Sequence, residues 1–324
     1  MAAEILVQVD HAISQGHIES ALIMLQRAGD AGDGDALFRM AITHLVGDIV
    51  PRDLRLARSF LSRAVATRHA DAALMEVALC ANGSGAKADW RSALSMLERA
   101  AQSDPVAADQ LKLVQSMTLN ESGYPVKMPA GRQLSQTPHV IHFKAFLTPE
   151  ECLHLARTAD PLFEPALVID SHTGRTIPHP VRSSEEAVIG PTREDLAIRA
   201  INTRVAAVSN TDVAAGEALT VLRYGPGQQY RPHHDAIAGT TNQRGWTMLI
   251  YLNENYSGGQ TRFFPSGLTV RGQRGDALLF RNLLQDGSPD PAAQHAGLPV
   301  TAGHKWLATR WIRQQPLDLW AQGR

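Results

Sequence analysis

Between residue 1 and about residue 115 the chain repeats itself every 36 residues. Ala21, Ala57 and Ala93 stand in register, as do Leu25, Leu61 and Leu97, then Arg27, Arg63 and Arg99, then Ala28, Ala64 and Ala100; Ala36, Ala72 and Ala108 continue the series. Self-similarity at such a period marks stacked supersecondary units, and a unit with room for two alanine-rich helices is an α-solenoid repeat. Small residues at fixed places let neighbouring helices approach closely. Residues 1–115 are therefore expected to fold as helical hairpins, and chemistry has to be sought after them.

The Ala-x-x-x-Leu-x-x-Ala helix, seen at Ala57 to Ala64, and the Gly-Asp turn Gly32 to Asp35 give this half a resemblance to the tetratricopeptide-like family of short helical repeats. That resemblance implies architecture and a concave face suited to a protein or peptide partner. A solenoid that merely packs against the other half is the competing reading, because fold does not fix function.

From Ser116 to Pro138 the periodicity lapses, and Gly123, Pro125, Pro129, Gly131 and Pro138 punctuate a polar stretch, read as a linker over 116–138. A short alternating strand is expected over His139 to Phe146. Thr148-Pro149-Glu150-Glu151 then forms a capping box with proline at the first helical position, which predicts a helix from Pro149 to about Thr158. Beyond it come short runs rich in β-branched and aromatic residues: Ala218 to Tyr224, Trp246 to Leu252, Gln260 to Phe264, Asp276 to Phe280 and Lys305 to Arg313. Glycines separate them, as in an antiparallel sandwich or barrel. The expected fold is a two-domain α + β chain, an N-terminal α-solenoid and a C-terminal jelly roll, or double-stranded β-helix, with flanking helices over 139–316. Residues 317–324 are a tail.

Composition narrows the function. With 44% hydrophobic and 19% charged residues the 324-residue chain is globular. A net charge of -1 argues against a nucleic-acid footprint or an anionic membrane surface. No stretch has transmembrane length and the start lacks a secretory pattern, so a cytoplasmic location is expected. Cys80 and Cys152 are the only cysteines and lie far apart, which suits free structural thiols in a reducing compartment.

One constellation carries chemistry. His233 and Asp235 flank a single residue, His295 follows, and Lys305 comes ten residues later. On a strand His233 and Asp235 point to one side and His234 to the other. Two imidazoles and a carboxylate are the donors of a facial triad, which leaves coordination positions open. On the last strand the inward face reads Lys305, Leu307, Thr309 and Trp311, and a lysine on an otherwise apolar face needs an anion. Trp246, Tyr251 and Trp306 are expected in the core.

The segment Tyr224-Gly225-Pro226-Gly227-Gln228-Gln229-Tyr230-Arg231-Pro232-His233-His234-Asp235 is similar to the metal-binding strand of the prolyl 4-hydroxylase family of iron- and 2-oxoglutarate-dependent dioxygenases. So are Tyr251-Leu252-Asn253-Glu254 with Ser257-Gly258-Gly259-Gln260-Thr261, and His295 to Val300 with Gly303-His304-Lys305-Trp306. Arg182-Ser183-Ser184 resembles the family's Arg-Ser pair at the substrate entrance. The resemblance spans about Val140 to Arg313 and departs at Gln260, where glutamate is commoner. It implies that His233, Asp235 and His295 bind Fe(II), that Lys305 pairs with the distal carboxylate of 2-oxoglutarate, and that Tyr224 and Thr309 support that co-substrate by hydrogen bonds. Arg182 would contact substrate, beneath a lid formed by the loop Ser171 to Gly190. With oxygen as the other co-substrate, the implied reaction hydroxylates a prolyl residue of a peptide or protein, a procollagen-proline 4-dioxygenase-like activity that releases succinate and carbon dioxide; ascorbate is the one further cofactor the resemblance admits. The peptide or protein substrate would be recruited by the solenoid. Three other readings stand beside it: a hydroxylase of a free amino acid or other small molecule, an interaction protein with a vestigial oxygenase domain, and a zinc hydrolase.

Overall fold

The computed structural model describes residues 2–169, 176–178 and 181–321. It divides into two compact units, 1–123 with 191–199, and 124–190 with 200–324.

The first unit is built of helices α1 (Ala2–Ser14), α2 (Ile18–Asp30), α3 (Gly34–Val46), α4 (Leu54–Ala66), α5 (Ala70–Asn82), α6 (Trp90–Ala100) and α7 (Pro105–Ser116), each packed on the next. The 36-residue period is visible in both caps and core. Asp53 and Asp89 cap α4 and α6 by accepting from Leu56 N and Ser92 N, and Gly47 and Gly83 close α3 and α5 in the left-handed conformation. A side chain at Gly47 would run into the Arg52 backbone. Ala21, Ala57, Ala93, Leu25, Leu61 and Leu97 are fully buried, so the repeated positions are those that fill the space between helices. Two members of the series behave otherwise. The arginine register lies outside the core, with Arg27 and Arg99 exposed and Arg63 paired to Asp30 at 2.7 Å. At the last repeat it is Ala107, not Ala108, that is buried, because Asp104, the cap of α7, comes one residue earlier in the 36-residue register than His69, the cap of α5.

The second unit carries the sheets. Its larger sheet has eight strands, all antiparallel, in the order β1 (Gly131–Gln136), β2 (His139–Phe143), β13 (Ala277–Arg281), β9 (Arg244–Tyr251), β16 (Lys305–Arg313), β7 (Leu219–Tyr224), β6 (Glu185–Ile189) and β3 (Glu164–Pro165). A four-stranded sheet has the order β12 (Thr269–Val270), β11 (Thr261–Phe263), β14 (His295–Gly297) and β8 (Tyr230–His233). Two short pairs complete the set: β4 (Leu167–Ile169) with β5 (Thr176–Pro178), and β10 (Tyr256–Gly258) with β15 (Val300–Gly303). Leu249, Tyr251, Phe263, Leu278, Phe280 and Leu307, drawn from both sheets, form the apolar core of a jelly roll. Tyr251 is wholly buried there, as expected of a core aromatic.

Helix α8 (Pro149–Ala159) begins with the predicted capping box between Thr148 and Glu151. The Glu151 carboxylate also accepts from Arg204 on α9 (Leu196–Ser209) at 2.7 and 2.8 Å. Two stretches depart from expectation. The polar segment read as linker contains β1, an edge strand whose mostly exposed Gly-Arg-Gln-Leu-Ser-Gln sequence shows no apolar alternation. The segment Ser171 to Gly190, read as one loop, contains β6, where Ala187 and Ile189 turn inward against β7. Residues 171–175 and 179–180 of that segment, Arg175 among them, lie outside the described residues.

Candidate metal centre and co-substrate cleft

Antiparallel pairing of β14 with β8 puts His295 directly opposite His233. The chain leaves β8 at His233, so Asp235 lies just past the strand end, yet the alternation holds: Asp235 is buried and His234 exposed. His233 Nε2 is 3.6 Å from Asp235 Oδ1 and His295 Nε2 is 3.7 Å from Asp235 Oδ2. One ligand atom from each residue falls within 4.8 Å of the others, a separation that suits a single ion. The rings are aimed by the backbone. His233 Nδ1 sits 2.8 Å from the Arg231 carbonyl and His295 Nδ1 3.0 Å from the Ala293 carbonyl. Because a carbonyl only accepts, each ring carries its proton on Nδ1 and offers the Nε2 lone pair to the centre.

Electrostatics favour that state. Burial works to raise the Asp235 carboxyl, but the His295 and His233 imidazoles and the Thr247 hydroxyl overcome it and hold the group well below the usual carboxylate range. Burial pushes the His295 imidazole down to about 4. Below the rings, Phe280 meets His295 edge-on at 4.7 Å, and Tyr230 stacks on His233 at 3.5 Å.

Behind the triad runs a narrow cleft, lined by Leu222, Tyr224, Thr261, Lys305, Leu307 and Thr309 among others. Lys305 is 2% exposed. Its Nζ donates to the Gly259 carbonyl at 2.7 Å and lies 5.6 and 5.5 Å from the Tyr224 and Tyr251 rings. Among the described residues no carboxylate pairs with it, and burial lowers its pKa to about 7. Gly259 makes this approach possible: it has a φ of 66°, and a Cβ there would stand 3.1 Å from Lys305 Cδ. On the same strand the Thr309 hydroxyl is buried without a partner among the described residues. An unpaired ammonium and an orphaned hydroxyl facing one cleft fit a carboxylate. The donor set at the other end fits a divalent cation.

Arg182 lies elsewhere. It is buried, ion-paired with Glu186, and its guanidinium sits 5.6 Å from the Tyr230 ring, outside the cleft lining. A guanidinium at that depth needs a carboxylate, and Glu186 on β6 supplies it. Sequence reasoning missed several neighbours. Thr247 Oγ1 donates to Asp235 Oδ2 at 2.6 Å and accepts from Asn282 Nδ2 at 2.9 Å. Glu217 holds Arg244 through two bonds of 2.7 Å and pairs with Arg313, while Arg244 stacks 4.1 Å over Trp311, which lines the cleft. A polar threonine at a buried position of the apolar run Trp246 to Leu252 was a readable signal. The Glu217 cluster joins three distant segments and left none.

Residues 219–313 match the model of the 2OG-Fe(II) oxygenase superfamily, and the triad, the lysine and the cleft all lie within or beside that span. The chain is a dioxygenase of this class, with Fe(II) as its metal and 2-oxoglutarate and oxygen as co-substrates. It is 37% identical over 202 residues to Prolyl 4-hydroxylase 1 of Arabidopsis thaliana, covering 56% of this chain and 71% of that protein. It is 35% identical over 205 residues to Probable prolyl 4-hydroxylase 10 of the same organism, covering 56% and 70%. Among solved structures, the viral collagen prolyl hydroxylase of Paramecium Bursaria Chlorella virus-1 with 2OG aligns at 26% identity and a TM-score of 0.44, over 54% of this chain and 95% of that one. The chain belongs to the prolyl 4-hydroxylase family.

Proposed function

We propose that the chain hydroxylates a prolyl residue of a peptide or protein, with Fe(II) held by His233, Asp235 and His295. The observation that carries this reading is the meeting, in one cleft, of a three-donor set and an unpaired Lys305 beside the orphaned Thr309 hydroxyl; family membership supplies the prolyl substrate. Bound iron and 2-oxoglutarate supply the oxygen activation, and 2-oxoglutarate leaves as succinate and carbon dioxide.

The chain's own residues bind, orient and exclude water. Lys305 and Thr309 take the distal carboxylate, the Tyr224 ring walls the cleft beside the ammonium, and the wholly buried Phe280 and Phe263 keep water from the inner side of His295. Arg182, ion-paired with Glu186 and beside the Tyr230 ring, is the residue assigned to contact substrate. We extend the reading to a helical unit that recruits the peptide or protein, to ascorbate as reductant, and to work in the cytoplasm without nucleic-acid or membrane partners. The net charge of -1 and the two buried free cysteines support this setting. Among the described residues no helix is long and apolar enough to cross a membrane.

The test offers the full chain Fe(II), 2-oxoglutarate and oxygen with proline-containing peptides or free proline. Succinate release and a peptide mass gain of one oxygen atom are expected with the peptides. Turnover of free proline alone would move the substrate to the small-molecule class, and no succinate with any substrate would sink the oxygenase reading.

A further inference from the structure

The structure assigns Thr247 and Asn282 as positioning residues that fix the polarity of one hydrogen-bond chain and hold the Asp235 carboxylate in place beside the two histidines. This rests on the reading of Asp235 as a ligand and adds how its carboxylate is held.

The available protons decide the direction of each bond. An ionised carboxylate only accepts, so across the 2.6 Å contact with Asp235 Oδ2 the hydrogen belongs to the Thr247 hydroxyl. That hydroxyl has no second hydrogen, so its lone pair must accept from whatever lies behind it. Asn282 Nδ2 stands there at 2.9 Å. Reversing the amide would face an acceptor against an oxygen whose only hydrogen is already committed. The amide keeps its donor inward although its own Oδ1 is left buried and without a partner among the described residues, an arrangement that costs free energy and is kept only where the surroundings over-determine it. Thr247 is 0% and Asn282 2% exposed, so water does not substitute for either.

The chain also has a rigid base. Thr247 lies on β9 between Met248 and Trp246, and Asn282 follows the last residue of β13, its neighbour in the sheet. The polarity Asn282 to Thr247 to Asp235 engages Oδ2 from behind. The bond pins the carboxylate against rotation while both its oxygens stay turned to the rings, Oδ1 at 3.6 Å from His233 Nε2 and Oδ2 at 3.7 Å from His295 Nε2.

The experiment measures Mn(II) affinity of the metal-free full chain by the electron-spin-resonance signal of free Mn(II), without turnover. Thr247→Val removes the chain, Thr247→Ser keeps it, and Asn282→Asp is isosteric but replaces the donor by an acceptor that competes with Asp235 for the Thr247 hydrogen. Thr247→Val and Asn282→Asp are expected to weaken Mn(II) binding by about 10- to 100-fold, the usual range for groups that orient metal ligands, and Thr247→Ser by less than about threefold. Should Thr247→Val fail to fold, as judged by its thermal melt, Asn282→Asp decides alone. Wild-type affinity in Asn282→Asp, with His295→Ala having lost the metal, overturns the positioning role and leaves the metal centre standing. Wild-type affinity in His295→Ala overturns the metal centre itself.

Discussion

Lys305 makes 2-oxoglutarate binding a titration. Buried in the cleft with the Gly259 carbonyl as its hydrogen-bond acceptor among the described residues, its ammonium has a pKa lowered to about 7, against about 10.4 for a free lysine. A lysine with a depressed pKa holds its proton below that value and loses it above, so the form able to pair with a carboxylate is the main one only below about pH 7. The co-substrate's carboxylates are ionised throughout this range. The apparent dissociation constant is the intrinsic one divided by the competent fraction, which is roughly one tenth at about pH 8. It should therefore be nearly flat at acid pH and then rise about tenfold per unit, or about 25-fold between about pH 6.5 and pH 8.5. Binding at about pH 8 should also take up about 0.9 proton, because the bound carboxylate restores the charged state. Anaerobic calorimetry of 2-oxoglutarate into the Fe(II)-loaded chain, in buffers of different ionisation enthalpy, reads both quantities. Lys305→Arg, charged throughout, should bind more weakly and lose the pH dependence. A flat wild-type affinity across this window with no proton uptake would refute the reasoning, since the lysine would then be charged before 2-oxoglutarate binds.

Replacing His233, Asp235 or His295 by alanine should abolish oxygen-dependent succinate formation, whereas His234→Ala, exposed on the other side of the chain, should keep most of it; equal losses at all four would break the facing argument. Thr309→Val removes the orphaned hydroxyl and should raise the 2-oxoglutarate concentration needed for half-maximal rate by about tenfold, the worth of a hydrogen bond to a charged group, with the thermal melt unchanged or higher. Glu217→Ala strands the Arg244 and Arg313 guanidiniums and should cost about 3–5 kcal/mol of stability, read by chemical denaturation; a loss under about 1 kcal/mol would show that solvent reaches them.

How much of this was legible in the sequence follows the range of each interaction. The 36-residue register exposed the helical unit because every copy buries the same Ala57- and Leu61-type positions, and burial is what a composition pattern records. It slipped at Ala108 because a cap that comes one residue early, Asp104, moves the start of the next helix without changing its composition. The strands β7, β9, β13 and β16 were readable from alternation or apolar runs. β1 was not, because an edge strand packs on one neighbour only and carries no apolar stripe. The triad was readable through facing, since His233 and Asp235 share a strand end. The ion pair of Arg182 was hidden for the opposite reason: its motif fixed the residue type, while its partner Glu186 sits on a strand inside a segment read as a loop. The hold of Asn282 on Thr247 and of Thr247 on Asp235 joins three segments, and only the folded sheet brings them together.

The two ends of the cleft are unbalanced in opposite senses, and this selects the ligand more narrowly than either end does. At the triad, two imidazole lone pairs and a carboxylate offer electron density and lack a cation. At the far end, an ammonium and a hydroxyl lack an anion. A simple carboxylate would satisfy the second and leave the first, and a metal alone would do the reverse. A short dicarboxylate whose head chelates the metal satisfies both, and Leu222, Leu249 and Leu307 wall the space between them, which a two-carbon apolar tether fills without stranding a polar atom. The arrangement also penalises partial occupancy: metal without co-substrate leaves Lys305 buried and unpaired, so each component is expected to tighten the other. That coupling is reciprocal by linkage, and the Mn(II) titration repeated at saturating 2-oxoglutarate measures it. Equal Mn(II) affinity with and without 2-oxoglutarate would mean that the two ends act independently.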